Sequence, residues 1–461
     1  MKKTIRQFSA RALLLFLALS ILLSFSACET KPPVDTEPQI SFDSEDLMKL
    51  IGLVDFNKLN QVEEIFEEYY IGEYKPYKEV DDEVINLIIE NVDISKIDNV
   101  DDATTVFIGA YLDVLGDKYA YYYDAEAFEE YNEDSEGEYV GIGISVVITE
   151  DNYIEAITVF KDGPADKAGI LPGDVLTKVD GVDMAELGYY ESIERVRGEQ
   201  GTTVKITLLR DGEELEFDVV RDKVTEITVE YELMQDNIGY IRITSFDDKT
   251  YDQFYQAYNE LSAQGAKGLL FDVRNNPGGR LDAVVAVLEY ILPEGNIVHM
   301  EYKDSSRNYS ISTVLQCNPL YFLFHKFFED HKIDMPMVVL TNENTASAGE
   351  LFTSSLKDYS VATIIGEKTY GKGVGQTGFN LKDINGKADG SAVTITYFYY
   401  APPFSENYDG IGIEPHKTVS LSEEAKKKNI HKLTFDEDTQ LQAGLLEIAT
   451  LIANKNAMSP N

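Results

Sequence analysis

Cysteine is scarce: the 461 residues hold two, Cys28 and Cys317, which excludes a disulfide-built scaffold. Histidine is scarce too. His299, His325, His331, His416 and His431 lie in no pattern that suggests catalysis, and no H-E-x-x-H zinc pattern occurs. Cations are few, with 40 Lys and Arg against 81 Asp and Glu, for a formal charge of −41. A surface so negative repels phosphate backbones, which argues against nucleic acid as partner, and is unsuited to lying on anionic lipid. The apolar run from Leu13 to Phe25 is shorter than the ~20 residues a spanning helix needs. No internal repeat is found. What the chain does have is apolar bulk, 44% with 29 Tyr and 22 Phe, and length for about three domains.

The first residues read as a targeting segment. Lys2, Lys3, Arg6 and Arg11 precede the apolar run, and Phe25-Ser26-Ala27-Cys28 closes it. That order resembles the bacterial lipobox, although the lipobox favours Leu where Phe25 stands. The resemblance implies a signal peptide over 1–27 and a lipid on Cys28. An ordinary cleaved signal peptide or a short membrane anchor is the competing reading. With Cys28 acylated, Cys317 has no partner for an internal disulfide and reads as a buried apolar side chain. Loss of residues 1–27, four cations and no acids, takes the charge from −41 to −45. The expected location is extracytoplasmic, lipid-anchored at the outer face of the bacterial cytoplasmic membrane or another extracytoplasmic membrane face.

Residues 28–43, with Pro32, Pro33 and Pro38, read as a tether. Region 44–136 is patterned as helix: Val62, Ile65, Phe66 and Tyr69 recur at helical spacing, as do Val84, Leu87 and Ile88. From 137 to 222 the texture is β, with a hairpin signal at Arg210-Asp211-Gly212-Glu213. Across 223–420 apolar strands alternate with amphipathic helices, which predicts an α/β layer. Among them are a strand over Met337 to Thr341 and a helix over Ser347 to Lys357. A helix from about Asp438 to Ala453 dominates the last segment, 421–461. The fold class is multidomain, α/β and α+β.

Two segments carry candidate chemistry. Asn342-Glu343-Asn344-Thr345-Ala346-Ser347-Ala348-Gly349-Glu350 joins a strand to a helix, which sets Ser347 among the unpaired amides of a helix start. Such amides can hold an oxyanion, although serine there is more often a simple cap. A serine nucleophile needs a base, and with histidine poorly placed lysine is the remaining choice, provided burial keeps its amine neutral. Gly366-Glu367-Lys368-Thr369-Tyr370-Gly371-Lys372-Gly373-Val374-Gly375-Gln376 offers Lys372 between glycines that let the backbone approach another element closely. Gln376 can orient the amine without adding charge. Gly366 to Gly373 nearly spells a P-loop, but Gly373 replaces the Mg²⁺-binding hydroxyl. Ser354-Ser355-Leu356-Lys357 fits S-x-x-K, yet its companion motifs are out of order.

The combined pattern resembles that of the carboxyl-terminal processing, or tail-specific, proteases. Their nucleophile lies in a segment like Thr345-Ala346-Ser347-Ala348, the base lysine follows 25 positions later as Lys372 does, and a glutamine comes four after it as Gln376 does. The likeness covers about Thr105 to His416. It includes Leu115-Gly116-Asp117-Lys118-Tyr119, Phe271-Asp272-Val273-Arg274-Asn275-Asn276-Pro277-Gly278-Gly279 and Gly410-Ile411-Gly412-Ile413-Glu414-Pro415. It implies a crotonase-like protease core over 223–420 and serine endopeptidase activity without metal or organic cofactor. It also implies an oxyanion hole from the amides of Ala348 and of Gly278 or Gly279. Departures are Ala401-Pro402-Pro403, His416 and a long aromatic segment over 312–332.

Region 137–222 resembles a PDZ domain, with Gly141-Ile142-Gly143-Ile144 as its carboxylate loop and Ser145 to Ile148 as the strand that pairs with a peptide. The downstream Gly163-Pro164-Ala165 and Leu171-Pro172-Gly173-Asp174 strengthen that likeness. Its implied partners are proteins or peptides with accessible C-termini. The competing reading is a catalytically inactive scaffold whose PDZ module captures such tails as an adaptor.

Overall fold

The computed structural model describes residues 44–149, 151–310 and 333–458. Expectations for the leader, the tether and Cys28 lie outside the described residues, as do those for segment 312–332 with Cys317, His325 and His331. The chain divides into two compact units: Met1–Glu129 with Gln376–Phe398, and Glu130–Gly375 with Tyr399–Asn461.

In the first unit, helices Ser44–Leu53, Phe56–Tyr69, Tyr77–Asn91 and Val100–Leu115 pack around Phe66, Val84, Ile88, Phe107 and Tyr111. Asn99 caps the last of these helices through the amide of Asp102, and Gly116 ends it at φ 76°. Leu381, Val393 and Ile395 join the same core, so a stretch far along the sequence completes this helical layer. One expectation fails here. Tyr121–Tyr123, inside the region patterned as helix, is a strand that pairs antiparallel with Ala392–Thr394. Three consecutive aromatics suit a pleated surface, and a partner strand from a distant segment overrides local periodicity.

The second unit holds two sheets that matter for function. Ile144–Ile148, Ile154–Val159, Val175–Val179, Thr203–Arg210 and Glu213–Val220 form an antiparallel sheet around Ile142, Leu176, Val179, Ile206 and Leu208. Its expected hairpin is present, turned by Asp211 (φ 52°) and Gly212 (φ 83°).

The other sheet runs Val229–Met234, Ile238–Ile243, Gly268–Asp272, Met337–Thr341, Ala362–Gly366 and Lys417–Thr418. Only the first pair is antiparallel. Phe271 packs on Phe254 and Phe352, from helices Thr250–Ala263 and Ala348–Asp358. Leu270, on the opposite face, packs with Ile448 and Ile452 of helix Thr439–Met458. Each fully buried side chain of this kind contributes roughly 1.5–3 kcal/mol. Helices on both faces explain the near-continuous apolar runs of these strands. The last helix begins where the sequence predicts and runs on to Met458.

A buried ion cluster ties this helix to the sheet. Arg274, 1% exposed, lies 2.6 Å from Asp272 and 2.8 Å from Asp438, while the Tyr240 hydroxyl donates to Asp272 at 2.8 Å. Burial alone would raise the Asp272 carboxyl, but the adjacent guanidinium outweighs it and holds the group at about 2.

Glu289, on helix Leu281–Ile291, is 7% exposed, and neither oxygen has a hydrogen-bond partner among the described residues. Burial pushes its carboxyl up to about 8 from an ordinary 4.5. The folded chain therefore keeps this proton at pH values where the unfolded chain releases it, so folding stability falls as pH rises from about 4.5 through about 8. Glu289→Gln should be more stable than wild type at about pH 9, by on the order of 3 kcal/mol, and close to it at about pH 4, as measured by thermal unfolding.

Candidate active site

Strands Gly268–Asp272, Met337–Thr341 and Ala362–Gly366 are adjacent and parallel, so the loops at their carboxyl ends are neighbours. Ligands and chemistry concentrate at that end of such sheets. The three loops are the segments singled out in the sequence: 273–280 with the glycine pair, 342–347 ending at Ser347, and 367–373 with Lys372.

Specific bonds stitch them together. Thr345 Oγ1 donates to the Val273 carbonyl at 2.8 Å, and the Ala346 amide donates to the Asn276 carbonyl at 2.9 Å. The Tyr370 amide donates to the Thr345 carbonyl at 3.0 Å. Gly366 is obligatory, because a Cβ there would lie 2.1 Å from the Thr341 carbonyl oxygen.

Ser347 is the cap of helix Ala348–Asp358, one residue later than the sequence places the helix start, with φ 51° and ψ −119°. A non-glycine residue at positive φ costs on the order of 1–3 kcal/mol and persists only where its surroundings enforce it. Here the enforcing group is Glu350. Its Oε2 accepts the amides of Ser347 at 3.0 Å and Lys372 at 2.8 Å, and its Oε1 accepts the Gly371 amide at 2.7 Å and the Thr369 hydroxyl at 2.5 Å. Glu350 is fully buried, which raises its carboxyl, while the four donors pull the other way. One oxygen atom thus holds the backbones of both Ser347 and Lys372.

The lysine loop is braced from its other side. Thr369 Oγ1 accepts the Ile413 amide at 2.7 Å, and the Gly410 amide donates to the Gly371 carbonyl at 2.9 Å. A Cβ on Gly412 would lie 2.3 Å from the Thr369 carbonyl oxygen, which accounts for glycine in Gly410-Ile411-Gly412. Tyr400 donates to the Lys372 carbonyl at 2.6 Å and makes a side-chain hydrogen bond with Ser347; burial pushes its phenol up.

The glycine pair faces the serine. A Cβ on Gly278 would meet the Ser347 Cβ at 2.6 Å and the Ala348 nitrogen at 2.9 Å. The Gly278 amide already donates to Asn276 Oδ1 at 2.8 Å. Among the described residues no acceptor faces the amides of Gly279 or Ala348.

Gln376 belongs to the first unit, where its Nε2 lies 3.5 Å from Thr396 Oγ1. In the β module, Gly141-Ile142-Gly143-Ile144 lines a cleft of about 230 Å³ with Leu176, Ile193 and Val196. The Ile142 and Gly143 carbonyls are turned away to the amides of Ala165 and Phe160, while no acceptor faces their own amides among the described residues. Arg197 also lines this cleft, its guanidinium 4.9 Å from the centre of the Tyr139 ring. Glu350, Tyr400 and Arg197 escape sequence reasoning. For Glu350 a signal exists, since Ser347-x-x-Glu350 has the spacing of a capping box; for the other two there is none.

Comparison with known proteins bears on this arrangement. Residues 237–419 match the model of peptidase family S41, and residues 140–220 match that of the PDZ domain. The carboxyl-terminal-processing protease of Synechocystis sp. is 32% identical over 333 residues, covering 70% of this chain and 72% of that one. The chain belongs to the carboxyl-terminal processing proteases of family S41. The carboxy-terminal processing protease CtpA of Bacillus subtilis is 33% identical over 314 residues, 68% of this chain and 63% of that one. The chain likewise spans 62% of the length of a CtpA-like serine protease of Staphylococcus haemolyticus. A Bacteroides fragilis structure described as a candidate S41 protease superposes with a TM-score of 0.53 at 14% identity, over 85% of this chain and 97% of that one, which establishes likeness of fold.

For this family member two substitutions test the geometry. Glu350→Gln leaves a backbone N–H facing another donor in either amide orientation and should cost about 1–3 kcal/mol in thermal unfolding. Gly278→Ala, at φ 107°, forces its Cβ against Ser347 and the Ala348 nitrogen and should lower the midpoint of thermal unfolding followed by circular dichroism.

Proposed function

We propose that the chain is a serine endopeptidase that cleaves exported proteins recognised by their C-terminal tails, with Ser347 as nucleophile and Lys372 as base, assisted by Gln376. The observation that carries this reading is the Glu350 carboxylate shared by the Ser347 and Lys372 amides, which fixes two chemically matched residues around one atom.

In this mechanism a neutral Lys372 takes the Ser347 proton as the hydroxyl attacks the scissile carbonyl. The carbon–oxygen bond forms, and the carbonyl oxygen takes up the negative charge. The amides of Ala348 and Gly279 receive that oxyanion, since the Gly278 amide is committed to Asn276. Lys372 then gives its proton to the leaving amine, and water releases the acyl group by the reverse route. The substrate's terminal carboxylate lies on the amides of Ile142 and Gly143 beside Arg197, its last side chain lies in the apolar cleft, and its backbone adds to the strand Ile144–Ile148. Acylation of Cys28 holds the enzyme at the outer face of the membrane.

Ser347→Ala and Lys372→Ala should each lower kcat/KM on a tailed peptide by about 10³-fold or more, and the wild-type kcat should fall as pH drops because the Lys372 amine must shed a proton. Cleavage by Ser347→Ala at the wild-type rate would end the dyad assignment. No cleavage by any form, with tail binding intact, would identify an adaptor instead.

A further inference from the structure

Tyr400 has no part in the proton transfers above, yet it is only 4% exposed and touches both residues that carry them. Its hydroxyl donates to the Lys372 carbonyl at 2.6 Å, and its side chain is hydrogen-bonded to that of Ser347. The Tyr400 backbone is tied to the same loop, since its amide donates to the Gly373 carbonyl at 3.0 Å. Asn407 Nδ2 bridges the Gly373 and Tyr400 carbonyls at 2.7 and 2.6 Å, and Asp409 Oδ1 accepts the Gly373 amide at 2.9 Å. The phenol oxygen therefore moves only with the lysine loop.

A phenol has one proton to give, and its oxygen can also accept. The proton is committed to the Lys372 carbonyl, so toward Ser347 the oxygen accepts and the serine hydroxyl donates. Glu350 fixes the backbones of Ser347 and Lys372 but leaves the serine side chain free to turn among its staggered rotamers. The phenol removes that freedom. Rotation about the Ser347 Cβ–Oγ bond moves the hydrogen alone, so Oγ keeps its place while its proton turns from Tyr400 to the base.

We propose that Tyr400 is a positioning residue that holds the Ser347 hydroxyl and the Lys372 peptide on one oxygen atom and so fixes the rotamer of the nucleophile. The inference rests on the Ser347 and Lys372 reading given above.

Tyr400→Phe removes the hydroxyl and keeps the ring, which packs edge-on against Tyr408 with centres 5.8 Å apart. Labelling of Ser347 by an acylating probe should reach the wild-type extent with a rate constant lower by about tenfold. On a tailed peptide kcat should fall by a similar factor, with KM changed by less than about twofold. An unchanged rate constant would overturn the proposal, and so would a loss confined to the fraction labelled, which would assign Tyr400 to structure alone. Thermal unfolding needs no catalysis and tests the contact separately from the dyad. The midpoint losses of Tyr400→Phe and Ser347→Ala should sum to more than the loss in the double variant, because both remove one hydrogen bond. Additive losses would overturn the proposal and leave the dyad standing. Wild-type cleavage by Ser347→Ala would overturn the dyad and with it the role of Tyr400, even with the coupling present. Should Tyr400→Phe fail to fold, 3-fluorotyrosine placed at position 400 decides the matter: its fluorine resonance should shift on Ser347→Ala, and an unmoved resonance would overturn the proposal.

Discussion

Four donors converge on the buried Glu350 carboxylate, and they come from the two loops that matter most. The Ser347 amide belongs to the turn that ends strand Met337–Thr341; the Thr369 hydroxyl and the amides of Gly371 and Lys372 belong to the loop after strand Ala362–Gly366. Without that acceptor these amides would be buried and unsatisfied, at a cost of about 1–3 kcal/mol each. Ser347 is held at positive φ by the same contact, so the strained conformation of Ser347 and the placement of the Lys372 backbone have one cause. The close approach of Gly278 to Ser347 and the Ala348 nitrogen depends on it as well.

The parallel sheet makes that convergence possible. Three neighbouring strands end at the same edge, and their loops cross-link through Thr345, Asn276 and Tyr370. Arg274 anchors the first loop from below, bridging Asp272 on the strand to Asp438 at the start of the last helix. Removing one partner of such a buried pair costs about 3–5 kcal/mol. The C-terminal segment is therefore part of the support of the loop that carries Gly278 and Gly279 rather than an appendage.

Much of this was legible in the sequence because local signals and tertiary structure agree. The apolar strand Met337–Thr341 appears with the predicted ends, and helix Ala348–Asp358 differs from its expectation by one residue. The glycines of the lysine loop read as sites of close approach, and Gly366 is one. The commitment of the Gly278 amide to Asn276 was not legible, since it depends on which way Asn276 turns its side chain. Tyr121–Tyr123 was misread as helix because its partner strand lies some 270 residues away. Tyr400 and Arg197 carried no signal: Tyr400 matters through the Lys372 carbonyl and Arg197 through the Tyr139 ring, both far from it in sequence. Gln376–Phe398 packing with the N-terminal helices has the same character.

The central claim is that Ser347 and Lys372 form one reacting pair on a shared carboxylate, with the oxyanion received by Gly279 and Ala348. A crystal structure of the protein with a peptidyl boronate tests it most directly. The account predicts boron bonded to Ser347 Oγ, one boronate oxygen within hydrogen-bonding distance of both amides, and the Lys372 amine against Oγ. Boron on any other residue, or a Ser347 adduct with the lysine amine turned away from it, would contradict the account.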